Sequence, residues 1–210
     1  QRRDQNARQA TLRGAIDWSW NLLEPHEQST LGQLAIFHGG CTLDAAEAVV
    51  DLSAHPDEGD VMDSVAALVD HSLLRRIEPH PGHFRYRMLE SVLSYATEKL
   101  GDAAAAVALR HAQYFAIYGH PEFLDSLDTH GGVPRRQRLA LELENLATGV
   151  HNALAADEFG LAAHCGLAAG AVFGQKGPYL DGISLLNRVP AERLDANLQA
   201  RFVLHRAQLM

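Results

Sequence analysis

The chain has 210 residues, 47% of them hydrophobic, and carries 18 Lys and Arg against 26 Asp and Glu, a formal net charge of −8. That apolar content excludes wholesale disorder, and the acidic balance disfavours a sequence-independent nucleic-acid binder, whose affinity comes from neutralised phosphates. No apolar run reaches the ~20 residues a membrane span needs, and no signal peptide is visible. Cys41 and Cys165 lie far apart in sequence and read as reduced core thiols of a cytoplasmic protein with no membrane partner. Gln1 in place of Met, and Met210 inside a helical pattern, read as cuts through a longer protein.

In chain order, residues 1–10 form a polar, basic lead-in from a preceding domain. Thr11 is the expected N-cap of a helix to Leu23. Leu12, Ala15, Ile16, Trp20, Leu22 and Leu23 cover one broad face, and Arg13, Asp17 and Asn21 the opposite strip. Such a face predicts a core helix, with Trp18 at its edge and free to meet a neighbouring domain. Glu24-Pro25 opens a second helix with Leu31, Leu34, Ala35 and Phe37 inward, and Gly39-Gly40 stops it. Thr42 begins a third helix. After a loop at 53–59, Asp60 and Asp63 cap a fourth that runs to about Ser72.

A β-hairpin follows: Leu73–Glu78, a turn around Pro79–Gly82, then His83–Met88. A fifth helix covers Glu90–Leu100. Helices, a hairpin wing, then a helix is a winged-helix order over residues 11–101. Residues 102–134 read as a connecting helix, Ala103–Tyr118, and a looser loop. Residues 135–210 read as Gly/Pro-punctuated helices: a long one at Arg135–Asp157, an apolar one at Phe159–Phe173, Tyr179–Arg188, and a last helix from Pro190. They suggest a truncated, tetratricopeptide-like α-solenoid. The fold class is therefore mainly α, a winged helix followed by helical repeats.

The sequence offers no catalytic constellation. Gly170 to Lys176 lacks phosphate-loop spacing, His80 and His83 belong to an exposed turn, and Cys41 reads as a small buried residue before a helix. The chain is therefore expected to be no enzyme, with no metal site and no cofactor of its own. Arg75, Arg76, Arg85 and Arg87 form the one basic cluster, on the wing, and are the candidate nucleic-acid contacts. The helix before the wing carries acids and no base, and residues 11–100 hold six basic and fourteen acidic residues. On that count direct DNA binding is disfavoured.

The segments Arg13–Leu23, Phe37–Glu47, Leu68–Leu74, Arg85–Glu90 and Tyr95-Ala96 resemble bacterial signal-transduction ATPases of the STAND/NB-ARC type, including AfsR-type and LuxR-type regulators. In that family a nucleotide-binding domain precedes a winged helix and tetratricopeptide-like helices. The resemblance implies an upstream ATPase domain that binds ATP or ADP and is this chain's own partner. It also implies a protein or small-molecule effector at the helical repeats. A nucleotide-sensing Met-His-Asp motif of related ATPases aligns with Met88, Leu89 and Glu90, with Leu89 in the place of the His. Met88, Leu89, Glu90 and Trp18 are thus candidate interdomain or sensor contacts. The favoured expectation is a non-catalytic segment coupling ATPase to effector. The alternatives are a DNA-binding winged-helix factor and a helical scaffold that binds protein.

Overall fold

A computed structural model describes the backbone of residues 2–209 and the side chains of residues 11–209. The chain divides into two compact units, residues 1–107 and 108–210. The first is a winged-helix domain with a two-stranded sheet, and the second is helical.

In the first unit α1 spans Arg2–Trp20, so the helix boundary expected at Thr11 falls inside a helix. Its expected core face is a correction too. Ile16 and Leu23 are buried, yet Leu12 and Leu22 are each 50% exposed; Trp18, expected at the edge of the face, is 67% exposed. Side chains from both faces tie α1 to α5 (Glu90–Leu100): Trp20 of the apolar face meets the Tyr95 ring edge-to-face, centroids 5.7 Å apart, and the strip read as polar adds hydrogen bonds. Arg13 donates to both carboxylate oxygens of Glu98, at 3.2 and 2.6 Å, and the Tyr95 hydroxyl donates to Asp17. Arg13 holds Glu98 below the usual carboxylate range. Burial, reinforced by Asp17, pushes the Tyr95 phenol up to about 12.

Helix α2 (Pro25–Leu34) opens on a capping box between Glu24 and Glu27 with Pro25 in its first turn, as the local sequence dictates. The buried Gln33 amide donates to the Asp51 carbonyl and accepts from the Asp51 amide, both at 2.9 Å, which fastens the segment after α3 to α2. Gly39 and Gly40 both take φ of +83°, turning the chain between α2 and α3 (Leu43–Val49), whose N-cap is Thr42. Helix α4 (Val61–Asp70) is capped by Asp60, which accepts from the Asp63 amide at 2.8 Å. Strands β1 (Arg75–His80) and β2 (His83–Arg87) pair antiparallel, with an irregularity between Ile77 and His80. Cys41 adds a single third rung, its amide donating to the Tyr86 carbonyl at 3.0 Å and the Tyr86 amide donating back at 2.8 Å.

In the second unit α6 (Ala104–Ala116), which begins before the unit boundary, runs into a 3-10 turn at 117–119. The loop expected at 122–134 contains α7 (Pro121–Ser126) and the start of α8 (Gly132–Leu141). Arg135 donates to the carbonyls of Ser126 and His130, at 2.9 and 3.0 Å, and Arg136 to that of Leu127, so two guanidiniums of α8 hold the turn that follows α7. The expected long helix Arg135–Asp157 breaks at Glu142, which is buried, accepts from Asn145 at 2.9 Å, and separates α8 from α9 (Leu143–Ala155). The rest is α10 (Phe159–Lys176), α11 (Tyr179–Leu186) and α12 (Ala196–Gln208), the last capped by Asp195. A Cβ on Gly119 would lie 1.8 Å from the His164 carbonyl oxygen, so only glycine lets that turn meet α10. The His164 ring stacks on His120, centroids 4.3 Å apart, and its Nδ1 is 3.2 Å from the Gly119 carbonyl oxygen.

Two predictions follow from this packing. A Cβ at residue 40 would fall 2.5 Å from the Tyr86 carbonyl oxygen, whereas none of the described atoms lies within 4 Å of one at Gly82. Gly82→Ala should therefore cost only the ~1–2 kcal/mol of a left-handed non-glycine residue. Gly40→Ala should cost about 3 kcal/mol or more, because backbone overpacking adds to the strain. Urea unfolding of the two variants checks the order, and equal losses would contradict it. The second prediction concerns pH. Burial lowers the pKa of His164, with His120 adding to the effect, below its ordinary 6.5. The unfolded chain thus binds the proton more readily, and stability falls with pH as it drops from about 6.5 through the lower folded value. Denaturation midpoints between pH 8 and 5 (a window of about three units) should slope less in His164→Gln than in the parent.

Candidate nucleic-acid interface

The wing sorts its four arginines by strand geometry. Arg75 pairs with Arg87, Arg76 with Tyr86, and Ile77 with Arg85. Since side chains alternate across a strand, Arg75, Arg85 and Arg87 share one face and Arg76 the other. Arg85 is only 3% exposed and donates to the Gly40 carbonyl at 2.8 Å, with the Gly39 carbonyl at 3.5 Å. Grouped with the other three from sequence, it is turned inward and holds the turn between α2 and α3. Arg75, Arg76 and Arg87 are exposed, and among the described residues none of them forms an ion pair. The Arg76 guanidinium lies over the Phe84 ring, 4.1 Å from its centroid, a contact no sequence motif signalled.

Arg75 and Arg87 stand directly opposite each other, an arrangement that like charges disfavour. It concentrates positive potential at the base of the wing. At the tip, Glu78 accepts from the Gly82 amide at 2.7 Å, and His80 and His83 are half-buried beside the turn. Helix α4, in the position of a recognition helix, exposes Met62, Asp63, Ala66 and Asp70 and presents no cationic side chain. Behind it, the Glu58 carboxylate lies 3.1 Å from His55 Nδ1 and 3.7 Å from His26 Nδ1.

Met88 is half-buried, Leu89 is exposed at the N-cap of α5, and Glu90 is the first residue of that helix. Cys41 is buried in the bridge to Tyr86. Gly170 to Lys176 is continuous α-helix, which makes no phosphate loop. Burial pushes the Cys165 thiol up to about 12, well away from the range of a reactive thiolate. Among the described residues no cluster of three His, Cys, Asp or Glu could hold a metal ion, and no helix is long and apolar enough to cross a membrane.

The winged helix-turn-helix domain family matches residues 23–101, the span that folds as α2 to α5 with its hairpin. Residues of this chain are 45% identical, over 109 positions, to "Putative HTH-type transcriptional regulator Rv0890c" of Mycobacterium tuberculosis (strain ATCC 25618 / H37Rv). The same identity and length hold for "Putative HTH-type transcriptional regulator Mb0914c" of Mycobacterium bovis (strain ATCC BAA-935 / AF2122/97). In both cases the match covers 51% of this chain and 12% of the relative. "Uncharacterized protein Rv0894" of M. tuberculosis is 36% identical over 99 residues, 47% of this chain and 25% of that protein. No solved structure matches.

These similarities overturn the expectation that direct DNA binding is disfavoured. The expectation rested on net charge over residues 11–100, and net charge averages over a surface that is segregated. Four of that segment's six bases are on β1 and β2, against one acid, Glu78, while ten of the fourteen acids populate α2 to α4 and their loops. A DNA backbone meets the local potential, not the sum. The division among the arginines is testable by thermal unfolding. Arg85→Ala should lose about 2–3 kcal/mol, because buried carbonyls lose a charged donor. Arg75→Ala, Arg76→Ala and Arg87→Ala should each stay within about 0.5 kcal/mol of the parent.

Proposed function

We propose that the winged-helix domain binds duplex DNA as part of a transcriptional regulator, through phosphate contacts made by Arg75, Arg76 and Arg87. The observation that carries this reading is three exposed guanidiniums, none in an ion pair with a described residue, on a hairpin fixed to a domain that matches the winged helix-turn-helix family. Guanidinium is suited to phosphate because its planar fork donates two hydrogen bonds at once. Helix α4 brings no cation, so affinity comes from the wing, and any sequence preference comes from α4's acceptors and apolar groups. The segment is proposed to be non-catalytic.

Fluorescence anisotropy with a mixed-sequence duplex tests the reading. Three phosphate contacts give log K falling against log salt with a slope of roughly −2.7. Reversing all three charges (Arg75→Glu, Arg76→Glu, Arg87→Glu) should flatten that slope and weaken binding by at least about tenfold at low salt. Absence of binding by the parent chain at low salt would overturn the proposal.

A second reading rests on length. The matched 109 residues are 12% of the regulators they resemble, which leaves room for further domains in proteins of that kind. In this reading the winged helix couples an ATP- or ADP-binding domain on its N-terminal side to an effector bound by the tetratricopeptide-like helices. Exposed Trp18, with Met88, Leu89 and Glu90, is the surface offered to that domain. Trp18→Ala in the longer protein should change nucleotide turnover without changing DNA affinity, and unchanged turnover would count against it.

A further inference from the structure

The helical unit contains a cavity of about 550 Å³, within the range of small-molecule sites. It lies between α7 with the turn that follows it, α10 and α12. On its α10 wall Gly170 and Gly174, one turn apart, carry no side chain, and His205 and Leu209 of the α12 side pack toward them. A Cβ on Gly170 would fall 2.5 Å from His205 Nε2, so this glycine lets the His205 ring lie against α10. Leu127 and Leu167 supply apolar lining.

The polar lining is of both signs. Arg201 projects from α12, and Asp125 and Asp128 come from α7 and its following turn. Asp128 is already paired, 3.1 Å from Arg136. Among the described residues the half-buried Arg201 and exposed Asp125 side chains have no ion-pair partner, and the lining His205 buries an Nε2 with no hydrogen-bond partner, so the cavity offers a cation, a carboxylate and an imidazole. A simple anion drawn to Arg201 would meet Asp125, and a simple cation would meet the converse. A molecule carrying both charges meets each wall with the opposite charge. The volume accommodates an amino acid or a short peptide but not a folded segment.

We propose that this cavity binds a small zwitterion, a free amino acid or short peptide, with its carboxylate on Arg201, its ammonium on Asp125 and its side chain against Leu127 and Leu167. The site stands independently of DNA binding by the wing. Where the effector-coupling reading also holds, it supplies that reading with a ligand class.

The test is calorimetry and thermal shift on the 210-residue chain with the twenty free amino acids and a set of dipeptides. N-acetylated and C-amidated forms of each serve as single-charge controls. At least one zwitterion should bind saturably, and blocking either terminus should weaken it by about tenfold or more. Arg201→Gln and Asp125→Asn should each weaken it by a similar factor, with the unliganded melting temperature unchanged. Should a variant fold poorly, the blocked ligands on the parent chain still decide. The proposal is overturned if no zwitterion binds at about 10 mM, if blocked and free forms bind alike, or if both variants bind as the parent does.

Discussion

The winged-helix unit depends on how the wing is fastened to the turn between its first two core helices. Gly39 and Gly40 both adopt positive φ, and the turn's carbonyl oxygens meet the Arg85 guanidinium. One residue on, Cys41 and Tyr86 exchange both backbone hydrogen bonds. A buried guanidinium is costly unless its donors are met, and here backbone oxygens meet them. Glycine at 40 is required twice over, for its backbone conformation and for its closeness to the Tyr86 carbonyl. The fastening fixes the hairpin's rotation, and with it which arginines face inward and which face solvent. Arg75 and Arg87 share a face with Arg85 but lie toward the hairpin's base, so they remain exposed while Arg85 is consumed by the fold.

Much of this unit is legible in the sequence, because its signals are local. The capping box at Glu24 and Glu27, the glycine pair, the Thr42 and Asp60 caps and the hairpin turn each act within a few residues. What sequence cannot supply is which face a partner covers. Period-two alternation groups Arg75, Arg85 and Arg87, but only the contact with Gly39–Cys41 separates the inward one. The same limit explains α1. Its apolar face predicts burial, yet Leu12 and Leu22 are left to solvent, and Arg13 and Asp17 join Trp20 in tying it to α5. Counting charge over ninety residues erred for a related reason, since it discards position.

In the helical unit the departures arise from buried polar groups and glycine contacts. Amphipathic spacing alone continues α8 through Glu142. The buried Glu142–Asn145 hydrogen bond marks a break that spacing does not show. Glycines at 119 and 170 admit backbone or ring atoms where any Cβ would collide, and they set the approach of neighbouring elements to α10. Such contacts join residues far apart in sequence. They are invisible to periodicity.

The central claim is that one arginine of the wing is structural and three are free to meet phosphate. NMR of the arginine Nε–Hε groups during titration with duplex DNA tests it most directly. The resonances of Arg75, Arg76 and Arg87 should move and return on raising the salt, while Arg85 stays fixed and slow to exchange its proton. Movement of Arg85 together with the others, or fixed positions for all four while DNA is bound, would contradict the account.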